Sequence, residues 1–121
     1  MRLVLPLLFL LTTTLCRADW NNWSQNEQRM FVASNIAMAA DWATTRNLTR
    51  RYSEGYYEKN QILGPYPSKD RVDLFFIGSI IANYYIADAV GQYRIFYLGA
   101  RTAVHGQAVS NNINIGLRLR F

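Results

Sequence analysis

Apolar positions along the chain change period from block to block. From Met30 they recur at Ala33, Ala37 and Ala40, with Phe31, Met38 and Trp42 beside them, the spacing of one helical face. Ser24 and Glu27 stand three apart just upstream, where each side chain can cap the other's main-chain amide. The pattern predicts a helix from Ser24 or Gln25 to about Arg46. Its alanines suit the close approach of a neighbouring helix.

The next block, residues 47–71, is charged and tyrosine-rich, and Gly64-Pro65 imposes a break. Ser68 or Asp70 can then cap a second helix over 72–90, "VDLFFIGSIIANYYIADAV", the most hydrophobic stretch after the N-terminal run. Between Asp73 and Asp88 it carries no charge, and Tyr84, Tyr85, Arg71 and Arg94 stand where membrane-interface residues are found. Insertion in a membrane is the expectation; a buried helix of a soluble domain has the same length signature. Gly91 can end the helix. A third, weakened by Gly99 and Gly106, is predicted from Gln92 onward.

From Asn112 the period drops to two: Ile113, Ile115, Leu117, Leu119 and Phe121 alternate with polar residues or glycine. That pattern and the terminal aromatic match an outer-membrane barrel strand. A single-chain barrel needs about eight such segments, and the chain holds one, so an extended tail is expected. The expected fold is mainly α: two to three packed helices, one membrane-inserted, with an extended C-terminal tail.

Composition adds a location. Arg2 followed by the uncharged run from Leu3 to Leu15 and "CRA" at residues 16–18 reads as a signal peptide cleaved before Asp19. An uncleaved anchor and a lipoprotein through Cys16 fit less well. Residues 19–121 would then form a single small helical envelope domain. Cys16 is the only cysteine, so that domain has no disulfide. The formal charge of +5 includes Arg2 and Arg17. The remaining excess is scattered, which argues against a nucleic-acid partner.

Candidate chemistry centres on Asp41, a carboxylate in a stretch otherwise fit for burial, with Thr45 one turn on to donate to it. Asp73, Asn83 and Asp88 on the second helix and the sole histidine, His105, can join it in a polar cluster between helices, with Asp41 and His105 as an acid–base pair. Glu58 and Asn60 precede the Gly64-Pro65 turn, placed to cap the second helix or to meet the neighbours of Asp41. Mutual hydrogen bonding for structure is the simpler role for such a cluster. With one histidine, a zinc site would need three carboxylates. No phosphate-binding glycine loop, nucleophile elbow or HExxH is present. No metal, cofactor or catalytic residue is assigned.

Ala40-Asp41-Trp42 with Thr45, then Glu58, Asn60, Leu63, Gly64, Pro67 and Ser68, then Arg71-Val72, follow an A-x-D-W-x-x-T helix and an E-x-N-P-x-L-G-x-x-P-S loop. In this the chain resembles a family of small, uncharacterised exported or membrane-associated proteins of Gram-negative bacteria and their phages. Gln61 stands where that loop has proline. The resemblance covers about residues 36–90 and implies topology and location, with no activity to carry over.

The expected function is that of a small exported, membrane-associated envelope protein, of bacterial or phage origin, at the inner membrane or periplasmic face. It would act through membrane lipid, an envelope protein partner or a second copy of itself. Alternatives are a small membrane-associated hydrolase using Asp41 and His105, and a soluble periplasmic binding module.

Overall fold

Ser24 and Glu27 start the first helix as their spacing requires. The Ser24 amide donates to Glu27 Oε2 at 2.7 Å, and the Glu27 amide to Ser24 Oγ at 3.2 Å. The structure, a computed structural model, describes residues 19–121; the expected signal peptide, residues 1–18, lies outside them. Helix α1 spans Gln25–Leu48. Helix α2, Lys69–Ala89, is capped by Ser68, whose hydroxyl accepts the Arg71 amide. Helix α3 spans Arg94–Asn114. Short 3-10 turns occupy Trp20–Asn22, Tyr52–Glu54 and Gly91–Tyr93.

Helix α3 runs unbroken through both glycines. Packing explains why: Leu98 is fully buried against Trp23 and Ala87, and Gly99 faces Met30 of α1. Burial of an amphipathic face outweighs local propensity in most helices of proteins.

Helix α1 is the central element. It packs extensively on α3 and along part of α2, whereas α2 and α3 touch little. Two apolar clusters fill the seams. One joins Trp23, Ala87 and Leu98, ringed by Trp20, Phe31 and Tyr84; the other joins Leu63, Val72 and Phe76, flanked by Trp42 and Phe75. Each fully buried large side chain is worth about 1.5–3 kcal/mol. Asn83 crosses the α1–α2 seam between the clusters, its amide donating to Ser34 Oγ at 2.9 Å and Asn35 Oδ1 at 3.1 Å.

Both acidic residues that bracket the uncharged part of α2 are held by a tryptophan and an arginine. Asp73 accepts the Trp42 indole at 2.8 Å and Arg46 Nη2 at 3.1 Å. Arg46 Nε also lies 2.7 Å from its carboxylate, without the alignment of a hydrogen bond. Asp88 accepts the Trp23 indole at 2.8 Å, with the Arg94 guanidinium 3.9 Å away and stacked over the Trp23 ring. Arg94 also pairs with Glu27 at 3.0 Å. With these charges matched, Leu74, Ile77 and Ile81 form an outward face, exposed by 73%, 45% and 57%. Helix α2 is long and apolar enough to cross a membrane. At about 1.5 Å per residue it reaches roughly 31 Å, close to the thickness of a bilayer's hydrocarbon core.

The tail is extended over a shorter span than its period suggests. Asn112 to Asn114 belong to α3, and residues 117–121 alone lack regular structure. Gly116, at φ 97°, turns the chain back. Leu117 is then buried, the Arg118 amide donates to Asn47 Oδ1 at 3.0 Å, and Phe121 meets Trp42 edge-on. Of the alternating apolar residues only Leu117 is buried, while Ile113, Ile115 and Leu119 stay exposed, and no strand occurs among the described residues.

Candidate functional site

Asp41, Thr44 and Thr45 lie on one face of α1 because positions i, i+3 and i+4 coincide on a helix. His105 of α3 meets that face. Its Nδ1 lies 2.7 Å from Asp41 Oδ2, with both residues buried. Thr45 Oγ1 donates to the other carboxylate oxygen at 3.3 Å. Thr44 Oγ1 donates to the Asp41 main-chain oxygen and accepts the Asn112 amide at 2.8 Å. In a neutral imidazole, a carboxylate acceptor places the proton on Nδ1. That leaves the lone pair on Nε2, which is buried and has no hydrogen-bond partner.

The loop before α2 is folded by its own polar residues. Glu58 accepts the Asn60 amide at 2.8 Å, and Asn60 Oδ1 accepts the Ile62 amide at 2.9 Å. The Glu58 amide donates to Pro65 O and the Gly64 amide to Asn60 O. Neither side chain caps α2, a role Ser68 fills. Instead the loop walls a cleft of about 690 Å³ against α1 and α3. Asp41, Thr45, Glu58, Asn60 and His105 all line it, with Leu63 and Phe76 among the apolar contributors. The volume falls within the range of small-molecule sites.

Asp41, Thr45, Glu58, Asn60 and His105 therefore meet at one place. The three polar residues expected from α2 do not join them and correct the expectation: Asp73 pairs with Trp42 and Arg46, and Asn83 bonds to Ser34 and Asn35. Asp88 sits near the C-terminal end of α2 with Trp23 and Arg94, because three to four turns of helix separate it from the level of Phe76. Asp41, Thr45 and His105 are in hydrogen-bonding sequence; Glu58 and Asn60 share the cleft without a hydrogen bond to that group.

Asn112 was missed, although it stands two helical turns after His105 and so shares its face. The tryptophan–aspartate pairs were missed too, since partners 31 and 65 residues apart leave no local pattern. Among the described residues no three His, Cys, Asp or Glu side chains converge as metal ligands would. Chemically, the group can orient an imidazole and present its Nε2 as a hydrogen-bond acceptor or a base. Comparison of the chain with protein-family models, curated proteins and solved structures finds no match.

Proposed function

We propose that this is a small exported envelope protein that associates with a membrane through the outer face of α2 and works by contact rather than by catalysis. The observation that carries the reading is the pairing of Asp73 and Asp88 with Arg46 and Arg94, which leaves the α2 face of Leu74, Ile77 and Ile81 apolar and open. Exposed apolar surface of this continuity usually marks a membrane or partner contact. Tyr85 near the C-terminal end and Arg71 near the start suit the interfacial region, whereas Tyr84 packs inward on Trp23.

Vesicle flotation of the purified chain tests the reading. The unmodified protein should rise with phosphatidylcholine vesicles, and Ile81→Asp should stay at the bottom. A charge at a helix centre costs about 2.5–3.5 kcal/mol on the insertion scale, and Ile81 is outward-facing, so folding should survive. Equal recovery of both proteins without vesicles would refute it.

A second reading, a small hydrolase, rests on the 2.7 Å contact between Asp41 and His105. Asp41 would orient the ring and His105 Nε2 would take a proton from water. Hydrolysis of a chromogenic ester that disappears in Asp41→Asn, with the melting temperature unchanged, would favour it over the first.

A further inference from the structure

We propose that the cleft between α1, α3 and the 57–63 loop binds a neutral polyol, a sugar or a sugar-bearing lipid headgroup, with one ligand hydroxyl donating to His105 Nε2. The proposal stands apart from membrane association. It starts from an unmet need: Nε2 is buried without a partner in a residue only 6% exposed, and that residue lines the cleft. In the neutral ring Asp41 holds the proton on Nδ1, so the complementary group at Nε2 is a donor. A hydroxyl meets that requirement; a carbonyl, carboxylate or fully ionised phosphate does not.

Charge narrows the class further. The cleft is lined by Asp41 and Glu58 against a single Lys59, and no arginine contributes. Anion sites ordinarily use arginine forks or clustered cations, so this lining is unsuited to a phosphate or carboxylate group. The other polar side chains are the amides of Asn60, Asn111, Asn112 and Asn114 and the hydroxyls of Thr45 and Tyr57. Asn60 spends its oxygen on the Ile62 amide, which leaves its NH2 to donate, and Asn111 adds a second amide on α3. Leu63 and Phe76 supply apolar wall. Alternating hydroxyls and C–H faces match such a mixture of amides, one acceptor nitrogen and apolar surface. A pocket with a few placed polar groups on an apolar lining is the usual form of a small-molecule site.

Long-range proton–nitrogen NMR of the His105 ring in the full chain reads the contact directly. The probes are methyl β-glucoside and the N-acetylglucosamine trimer, with inorganic phosphate as the anionic control. Phosphatidylcholine vesicles with and without glucosyl diacylglycerol form a second arm. Binding should move the Nε2 resonance, and Asn111→Ala, at an exposed position whose side chain bonds to nothing else, should weaken it at least tenfold while the fold is kept. His105→Phe should abolish binding, though that variant strands Asp41 and is read beside Asn111→Ala. Response to the soluble sugars identifies a free glycan; response to the glucosyl vesicles alone identifies a headgroup. Phosphate binding more tightly than every sugar, or an Nε2 resonance unmoved by all probes, would overturn the proposal.

Discussion

The indole N–H of Trp42 donates to Asp73 at 2.8 Å, and the same bond recurs at the far end of α2, where Trp23 donates to Asp88 at 2.8 Å. The two carboxylates are about 22 Å apart along the helix at 1.5 Å per residue. Both are turned from the open face, and each has an arginine beside it. Helix α2 is thus fastened at both ends by polar contacts, with Asn83 in the middle.

Replacing either tryptophan with phenylalanine should weaken this fastening. A hydrogen bond to a charged group is typically worth about 1.5–3 kcal/mol. Trp42→Phe and Trp23→Phe should each lower the melting temperature by several degrees, at about 4–8 °C per kcal/mol for a chain of this size. Trp23→Phe should be the costlier, since Trp23 is buried and also stacks with Arg94 and Tyr84. Melting curves unchanged by both would show the bonds to be inconsequential.

At Asp41 the expected outcome is structural. Asp41→Ala leaves His105 Nδ1 and Thr45 Oγ1 without their acceptor, a loss of about 1–3 kcal/mol. Asp41→Asn keeps the shape and one acceptor oxygen and should be milder. Urea unfolding of the three proteins measures both differences. Identical midpoints would remove the structural role.

Acid should loosen the start of α1. The Ser24 amide, bonded to the Glu27 carboxylate, holds Glu27 below the usual carboxylate range, and Arg94 adds to the effect against an opposing cost of burial. A depressed pKa in the folded protein means stability that is present above the unfolded-state pKa and lost as pH falls through the folded value. Stability should therefore fall on acidification below the ordinary glutamate range. In Glu27→Gln this part of the slope should be missing, as a pH series of unfolding curves would show. Retention of the full slope would assign it to other carboxylates.

The start of α1 was legible because Ser24 and Glu27 form a local pattern, and Ser68 marked α2 in the same way. The open face of α2 followed from the uncharged run after Asp73. Asp41, Thr45 and His105 announced themselves as polar groups in apolar or otherwise histidine-free surroundings. The pairing of Asp88 was not legible, because helical period says which face a residue occupies and not which neighbour covers it. The tail misled in its extent. Alternation at Ile113 and Ile115 looks the same whether a strand forms or α3 continues for another turn, and both side chains are exposed, so no burial pattern separates the two.

That tail offers a further test at Gly116. Its φ of 97° is a left-handed conformation, and an added Cβ would lie 3.0 Å from Tyr56 Oη. Tyr56 Oη donates to Ile115 O, and Arg51 Nη1 to Gly116 O, both at 2.6 Å. Gly116→Ala should cost about 1–2 kcal/mol in backbone strain and displace these donors. Release of Phe121 from Trp42 should then shift the tryptophan fluorescence. Tyr56→Phe relieves the clash and not the strain, so it should restore the variant only in part. An unshifted spectrum in Gly116→Ala would mean that the turn does not anchor the tail.

Because α1 packs on both other helices, while α2 and α3 meet chiefly where Ala87 and Leu98 share a cluster and Arg94 reaches the end of α2, most of the interior lies in two seams along α1. Cooperative units of a protein open with different free energies according to the contacts each must break. Release of α2 breaks its seam with α1 and its end contacts with Trp23, Trp42, Arg46 and Arg94, yet leaves the Asp41–His105 join between α1 and α3 in place. The pair formed by α1 and α3 is thus the frame of the protein, and α2 is a leaf hung on it. Exchange of amide hydrogens should be slowest along that frame and faster in the leaf, whose outer side is the one turned towards whatever surrounds the protein.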